Sequence, residues 1–298
     1  MNSKFSMLGV PIDCIGMAEK PGGTELSPAV LREHALVEAL SMQDCGDLPV
    51  RIDRNHRDPA SGIVGFDSVC RTTQAIRQAV RQTLAAGEHP FLVGGCCTEL
   101  IGAVAGAKDH FGVVGLAYLD GHIDLYDGRT SPTGEAADIP VAALLGYGPA
   151  GLLDQMPVIK PQHLALLAYR DLEEARANRS LLPDDIKPAM MHYDVEKVRM
   201  RGAGALGEQV ALALAHEPGQ YWLHLDFDIL DQKVFPATDY LMAGGLDWPE
   251  LVALARPLCS SPHLIGMSIA CYNPDKDPQR ECATSIVSAL RQIFASPD

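Results

Sequence analysis

The stretch Val113-Val114-Gly115-Leu116-Ala117-Tyr118-Leu119 runs directly into Asp120-Gly121-His122-Ile123-Asp124. A short apolar run that stops at a polar, glycine-containing turn reads as a buried β-strand, and the residues after it occupy the strand's exit. A second run, Tyr221 to Leu225, exits in the same way into Asp226-Phe227-Asp228-Ile229-Leu230-Asp231. Alternate residues of an extended backbone point the same way, so Asp120, His122 and Asp124 share one face, and Asp226 and Asp228 share another.

Outward from these two segments the same rhythm repeats. Further strands are expected at Met7 to Ile12, Pro90 to Val93, His163 to Ala168, Ala189 to His192 and Leu264 to Ile269. Helical spacing between them predicts helices at Ser27 to Leu40, Val69 to Ala86, Glu99 to Gly106, Leu206 to Ala215 and Trp248 to Ala255, with a last one from Ala283 to Phe294. Ser27-Pro28 and Asp247-Trp248-Pro249-Glu250 carry N-cap and first-turn proline signals. Strands alternating with helices predict an α/β fold with a mainly parallel central sheet. With no repeat or low-complexity linker, residues 1–298 are expected to form one domain.

The chain has 298 residues and a formal net charge of -14. That balance argues against nucleic acid or an anionic membrane as partner, since both need clustered Lys and Arg, and favours a small-molecule substrate. Met1 to Met7 lacks the basic and apolar regions of a signal peptide, and no apolar stretch reaches transmembrane length, so a soluble, cytoplasmic protein is expected. Eight scattered cysteines without a repeated C-x-x-C spacing suggest neither a disulfide framework nor a zinc ribbon, but mostly buried thiols.

The two acidic segments are expected to meet in the crevice beyond the carboxyl ends of parallel strands, where open α/β sheets bind ligands. Four carboxylates gathered there repel one another unless cations neutralise them. Several carboxylates and an imidazole suit Mn²⁺ or a similar borderline-hard ion. A lone Asp-x-Asp after a strand is more often a turn or cap; two such clusters ending strands of one sheet are harder to explain so.

With these segments in view, the chain resembles the arginase and agmatinase group of ureohydrolases. The resemblance begins at Gly9-Val10-Pro11-Ile12-Asp13, Pro21-Gly22 and Pro28-Ala29-Val30-Leu31-Arg32. It continues through Gly94-Gly95, both Asp clusters, Tyr169-Arg170-Asp171, Gly244-Gly245-Leu246 and Asn273-Pro274. It implies a three-layer α/β/α sandwich, two divalent metal ions (Mn²⁺) and hydrolysis of a guanidinium to urea and an amine. It also implies that Asp120 and Asp226 bridge the metals, that His122 and Asp228 bind one of them, and that Asp124 binds the other and takes a proton from water. Many members of the group are trimers or hexamers, so a homo-oligomer is compatible with the resemblance.

Several positions depart from the family's pattern. Cys97, in Gly94-Gly95-Cys96-Cys97-Thr98, stands where the family has a histidine ligand; its thiolate remains a candidate ligand to the second metal. Ala137 replaces the proton-shuttle histidine of arginases, leaving Glu135 or Asp138 as candidate general acids. Cys271 replaces the guanidinium-binding glutamate, which disfavours a fully cationic guanidinium and favours a less basic amidine or hydroxyguanidine. Glu135 lies where arginases receive the substrate's carboxylate and would repel it, and Glu173 matches a position that contacts the substrate's amino end. The expected function is therefore metal-dependent hydrolysis of a C–N bond in a linear amidine, guanidine or modified guanidine. The alternatives are a metal-binding pseudoenzyme with a regulatory or structural role, and a deacylase holding one zinc ion.

Overall fold

The computed structural model describes residues 5–13, 22–53 and 56–295. Pro21 and the segment Met1 to Lys4, which entered the sequence readings, lie outside them. The strands are β1 (Phe5–Val10), β2 (Gln43–Asp47), β3 (His89–Gly94), β4 (Gly115–Leu119), β5 (Leu164–Tyr169), β6 (Met191–Asp194), β7 (Tyr221–Asp226) and β8 (Leu264–Ala270). They form one sheet in the order β2-β1-β3-β8-β7-β4-β5-β6. Every neighbouring pair is parallel.

The helices are α1 (Ser27–Glu33), α2 (Leu36–Ala39), α3 (Phe66–Ala85), α4 (Glu99–Phe111) and α5 (Pro140–Leu145), then α6 (Leu172–Ala177), α7 (Val195–Arg201), α8 (Ala203–His216), α9 (Trp248–Ser260) and α10 (Glu281–Phe294). Strand alternation sorts the side chains into two cores. Leu92, Leu116, Tyr118 and Trp222 pack with Ile76, Val80, Leu100, Val104 and Val141 of α3, α4 and α5. Phe91, Val93, Ala117, Leu119, Leu223 and Leu225 pack with Leu31, Val210, Leu254, Ile286 and Leu290 of α1, α8, α9 and α10. The result is the three-layer α/β/α sandwich. Among the described residues no helix is long and apolar enough to cross a membrane.

Three local readings need correction. The helix expected over Ser27 to Leu40 is two helices, because Ala35 takes a left-handed φ of 60° between them. Strand β2 (Gln-Asp-Cys-Gly-Asp) is exposed throughout, so it carries no apolar pattern; as an edge strand it is tied down by Arg32, which pairs with Asp44 at 2.9 Å and Asp47 at 2.6 Å. Helices α5, α6 and α7 span only six or seven residues, too few for a periodic signal. Among the cysteines, Cys45, Cys70, Cys97, Cys259, Cys271 and Cys282 are free thiols, whereas Cys96 is disulfide-bonded.

The chain leaves β3 through α4 and returns in β4, crossing β8 and β7. These four strands are the centre of the sheet, and their C-terminal ends share one side. The reversal of strand order there opens a crevice.

Candidate metal centre

Cys97 follows β3, Asp120 follows β4, Asp226 ends β7 and Cys271 follows β8, so the central strands deliver all four residues to the crevice. The two acidic segments fold alike. The Oδ1 of Asp120 accepts from the His122 backbone N–H at 2.7 Å, and the Oδ1 of Asp226 accepts from the Asp228 N–H at 2.7 Å. Such Asx-type turns orient each carboxylate locally and leave both Oδ2 atoms facing Cys97, whose Sγ lies 2.6 Å from Asp226 and 3.6 Å from Asp120. His122 Nδ1 lies 3.0 Å from Asp228 Oδ2 and 3.5 Å from Asp120 Oδ1.

Two sets of side chains each present ligand atoms within 4.8 Å of one another: Asp120, His122 and Asp228 in one, Cys97, Asp120, His224 and Asp226 in the other. Asp120 belongs to both. The donor set therefore fits a pair of divalent ions sharing one carboxylate.

The electrostatics show what such ions would neutralise. Burial, with Asp228 adding to it, pushes Asp120 up to about 6. Burial also raises Asp226 and Asp124 well above the carboxylate range, with Asp228 and Asp120 respectively contributing repulsion. Burial would raise Asp228 too, but His122 and Arg170 hold it low. His122 is raised well above its ordinary value because Asp228 and Asp120 outweigh the cost of burial. Without a cation, the cluster balances its charge by holding protons.

Asp124, at a positive φ of 48°, receives a short hydrogen bond from the Tyr118 hydroxyl. It lines a cavity of about 240 Å³ together with Cys97, Asp120, His122, Asp228 and Cys271. Asp138 lines the same cavity, and its Oδ2 accepts from Ser131 and, at 2.8 Å, from Thr133. Glu135 is buried outside the cavity lining and accepts from the Tyr240 hydroxyl at 2.6 Å. Glu173 is likewise outside the lining, while its neighbour Glu174 is part of it. Asp171 and Asp239 complete an acidic wall, and among the described residues none that lines the cavity is Lys or Arg.

Some residues escaped the sequence reading. His224, within β7, is fully buried beside Cys97; its signal was the alternation His224-Leu225-Asp226, which continues the Asp-x-Asp face by one step. Glu99 opens α4 and reads as a first-turn acid, yet it is fully buried, with its carboxylate packed against Gly94. Burial, assisted by Asp226, raises its pKa well above normal. Arg170, to which the sequence reading gave no role of its own, donates to the carbonyls of Asp228 at 2.7 Å and Leu230 at 3.1 Å. Asp171 accepts from the Ile123 N–H at 3.2 Å. This pair braces both ligand-bearing segments.

Comparison with known proteins agrees with this architecture. The model of the Arginase family matches residues 3–295. The arginase of Bacillus caldovelox is 28% identical over 97% of this chain and 97% of its own length. Its native structure at pH 5.6 superposes with a TM-score of 0.86 at 25% identity, covering 99% of each chain. A formimidoylglutamase from Bacillus subtilis subsp. subtilis str. 168 shares the fold at a TM-score of 0.71 and 17% identity, covering 99% of this chain and 87% of that one.

Proposed function

Because the chain belongs to the arginase family, we propose that it is a binuclear metal-dependent hydrolase of a C–N bond in a linear amidine, guanidine or modified guanidine, releasing urea or a substituted urea and an amine. The observation that carries this reading is the pair of ligand sets joined at Asp120. When bound, two divalent ions would lower the pKa of water and polarise the electrophile; Mn²⁺ fits the oxygen-rich set best.

Asp120, common to both ligand sets, would serve both ions; His122 and Asp228 would complete one set and Cys97 and Asp226 the other, with Asp124, which belongs to neither set, offered to them from the cavity wall. Asp124 lies in the cavity with its affinity for protons raised, which suits a group that takes a proton from water and passes it on. Asp138 is the better candidate for the general acid, since it lines the cavity while Glu135 is committed to Tyr240. Glu135 then acts as a positioning residue for Tyr240, whose ring meets that of His122 edge to face at 6.0 Å.

The wall shapes the choice of substrate. Among the described residues a substrate carboxylate finds no Lys or Arg in the lining and four acids beyond the ligands, Asp138, Asp171, Glu174 and Asp239. An α-amino acid tail is disfavoured, and a neutral or amine-bearing tail is favoured. At the reacting end Cys271 offers no charge to a guanidinium, which favours a less basic amidine or hydroxyguanidine.

The test is a panel of such compounds incubated with Mn²⁺-loaded protein and assayed for urea, substituted urea and ammonia. Asp124→Asn should lower kcat by about 10²-fold or more with the fold intact by circular dichroism. No product from any member of the panel would count against the reading and leave the pseudoenzyme.

A further inference from the structure

The second ligand set contains an imidazole that comes from a strand rather than from the loop after β3. His224 Nε2 lies 3.3 Å from Cys97 Sγ. Its other nitrogen, Nδ1, lies 2.7 Å from Ser268 Oγ on β8, which also accepts from the Trp222 indole N–H at 2.9 Å. The ring is stacked on Tyr118, centroids 5.1 Å apart. Ser268 retains a lone pair that can accept Nδ1–H, the tautomer that leaves the Nε2 lone pair facing Cys97. An imidazole oriented by a hydrogen bond at its far nitrogen is the usual arrangement of a histidine metal ligand.

We propose that His224, with Cys97, Asp226 and Asp120, ligates the second ion, so that the imidazole absent from the loop after β3 is supplied from β7. This rests on the binuclear reading above and specifies its second site. Ligands held about 2.0 to 2.3 Å from a tetrahedral ion lie about 3.3 to 3.8 Å from one another. The separations of Cys97 from His224, 3.3 Å, and from Asp120, 3.6 Å, already fall there, whereas Cys97 and Asp226, now hydrogen-bonded at 2.6 Å, must move apart as the ion takes the place of the shared proton. The His224 ring is fully buried, so its orientation is fixed by Ser268 and Tyr118 rather than by solvent.

The two sites then differ in chemistry. Asp120, His122 and Asp228 offer oxygen and one nitrogen, whereas the second set adds a thiolate, which shifts preference toward Zn²⁺ or Co²⁺. Binding releases the Cys97 proton to solvent, and the cation takes over its neutralising role.

The experiment uses Co²⁺ as probe. Metal-free protein is titrated by equilibrium dialysis and by absorbance, where a thiolate bound to Co²⁺ gives a near-ultraviolet charge-transfer band. Wild type should take up two ions per chain and develop the band. His224→Ser should lose one ion, its affinity falling by about 100-fold or more, and the band should weaken or shift. Because His224→Ser could disturb the β7 core, the double variant Cys97→His with His224→Ser is made as well: returning an imidazole from the loop should restore the second ion without the band. Two ions and an unchanged band in His224→Ser would overturn the inference while leaving the binuclear reading intact. Uptake of no Co²⁺ by wild type, or of a single ion that His122→Ala alone abolishes, would overturn both.

Discussion

The carboxyl group shared by both ligand sets is one of several whose protons a cation must displace. Asp120 is shared by both ligand sets and, without a cation, titrates at about 6, above the ordinary value of about 3.9. Its folded-state pKa is raised, so it contributes stability below about pH 4 and loses that contribution as pH rises through 6. A divalent ion must displace the same proton. Thermal melts with Mn²⁺ and with chelator should therefore separate progressively from pH 5 to pH 7, the metal-loaded protein gaining relative to the metal-free one. A constant or shrinking gap would refute this. At this scale the residues were legible in the sequence but their geometry was not: Asp120, His122, Asp226 and Asp228 converge, and Cys97 meets them, through turns beyond the ends of β4 and β7 rather than by alternation along an extended backbone. The sequence reading expected Glu135 and Glu173 at the substrate, yet neither lines the cavity, because whether an acid faces it depends on packing and on partners such as Tyr240 that are distant in sequence.

Among the elements, α4 carries the chain from β3 to β4 and lies close against α3. Gly102 makes this approach possible: a Cβ there would sit 2.5 Å from the Thr73 carbonyl oxygen and 2.9 Å from Ile76. Replacing a helical glycine by alanine gains about 1 kcal/mol in helix propensity. Overpacking against a backbone atom costs about 1 to 3 kcal/mol, so the clash should win. Gly102→Ala should lower the denaturant midpoint. Gly204→Ala in α8, where the nearest atom is 3.8 Å away, should leave it unchanged or raise it slightly. The reverse order would show that α3 and α4 can separate freely. Long elements with buried faces, such as α3 and α10, were legible from periodicity. Strand β2 was not, because an exposed edge held by Arg32 leaves no hydrophobic trace.

Across the whole molecule, the parallel alternation of strands and helices was readable because the inner strands are apolar on both faces, as a sheet between two helical layers requires. The order of the strands was not, since nothing local records that β8 and β7 lie between β3 and β4. That order has a mechanical consequence. Hydrogen bonds hold neighbouring strands together along their length, but at the C-terminal rim the ligands of β3, β7 and β4 meet at a point. Ions seated there would act as rivets through adjoining planks, so that fraying at one strand end would require the others to release. Amide hydrogen exchange should report this as slower opening of Val93, Leu119, Leu225 and Ile269 on metal loading, with β2 and β6 at the margins unaffected. Uniform protection across all eight strands would instead mean that the ions stiffen the sheet as a whole rather than pinning its centre.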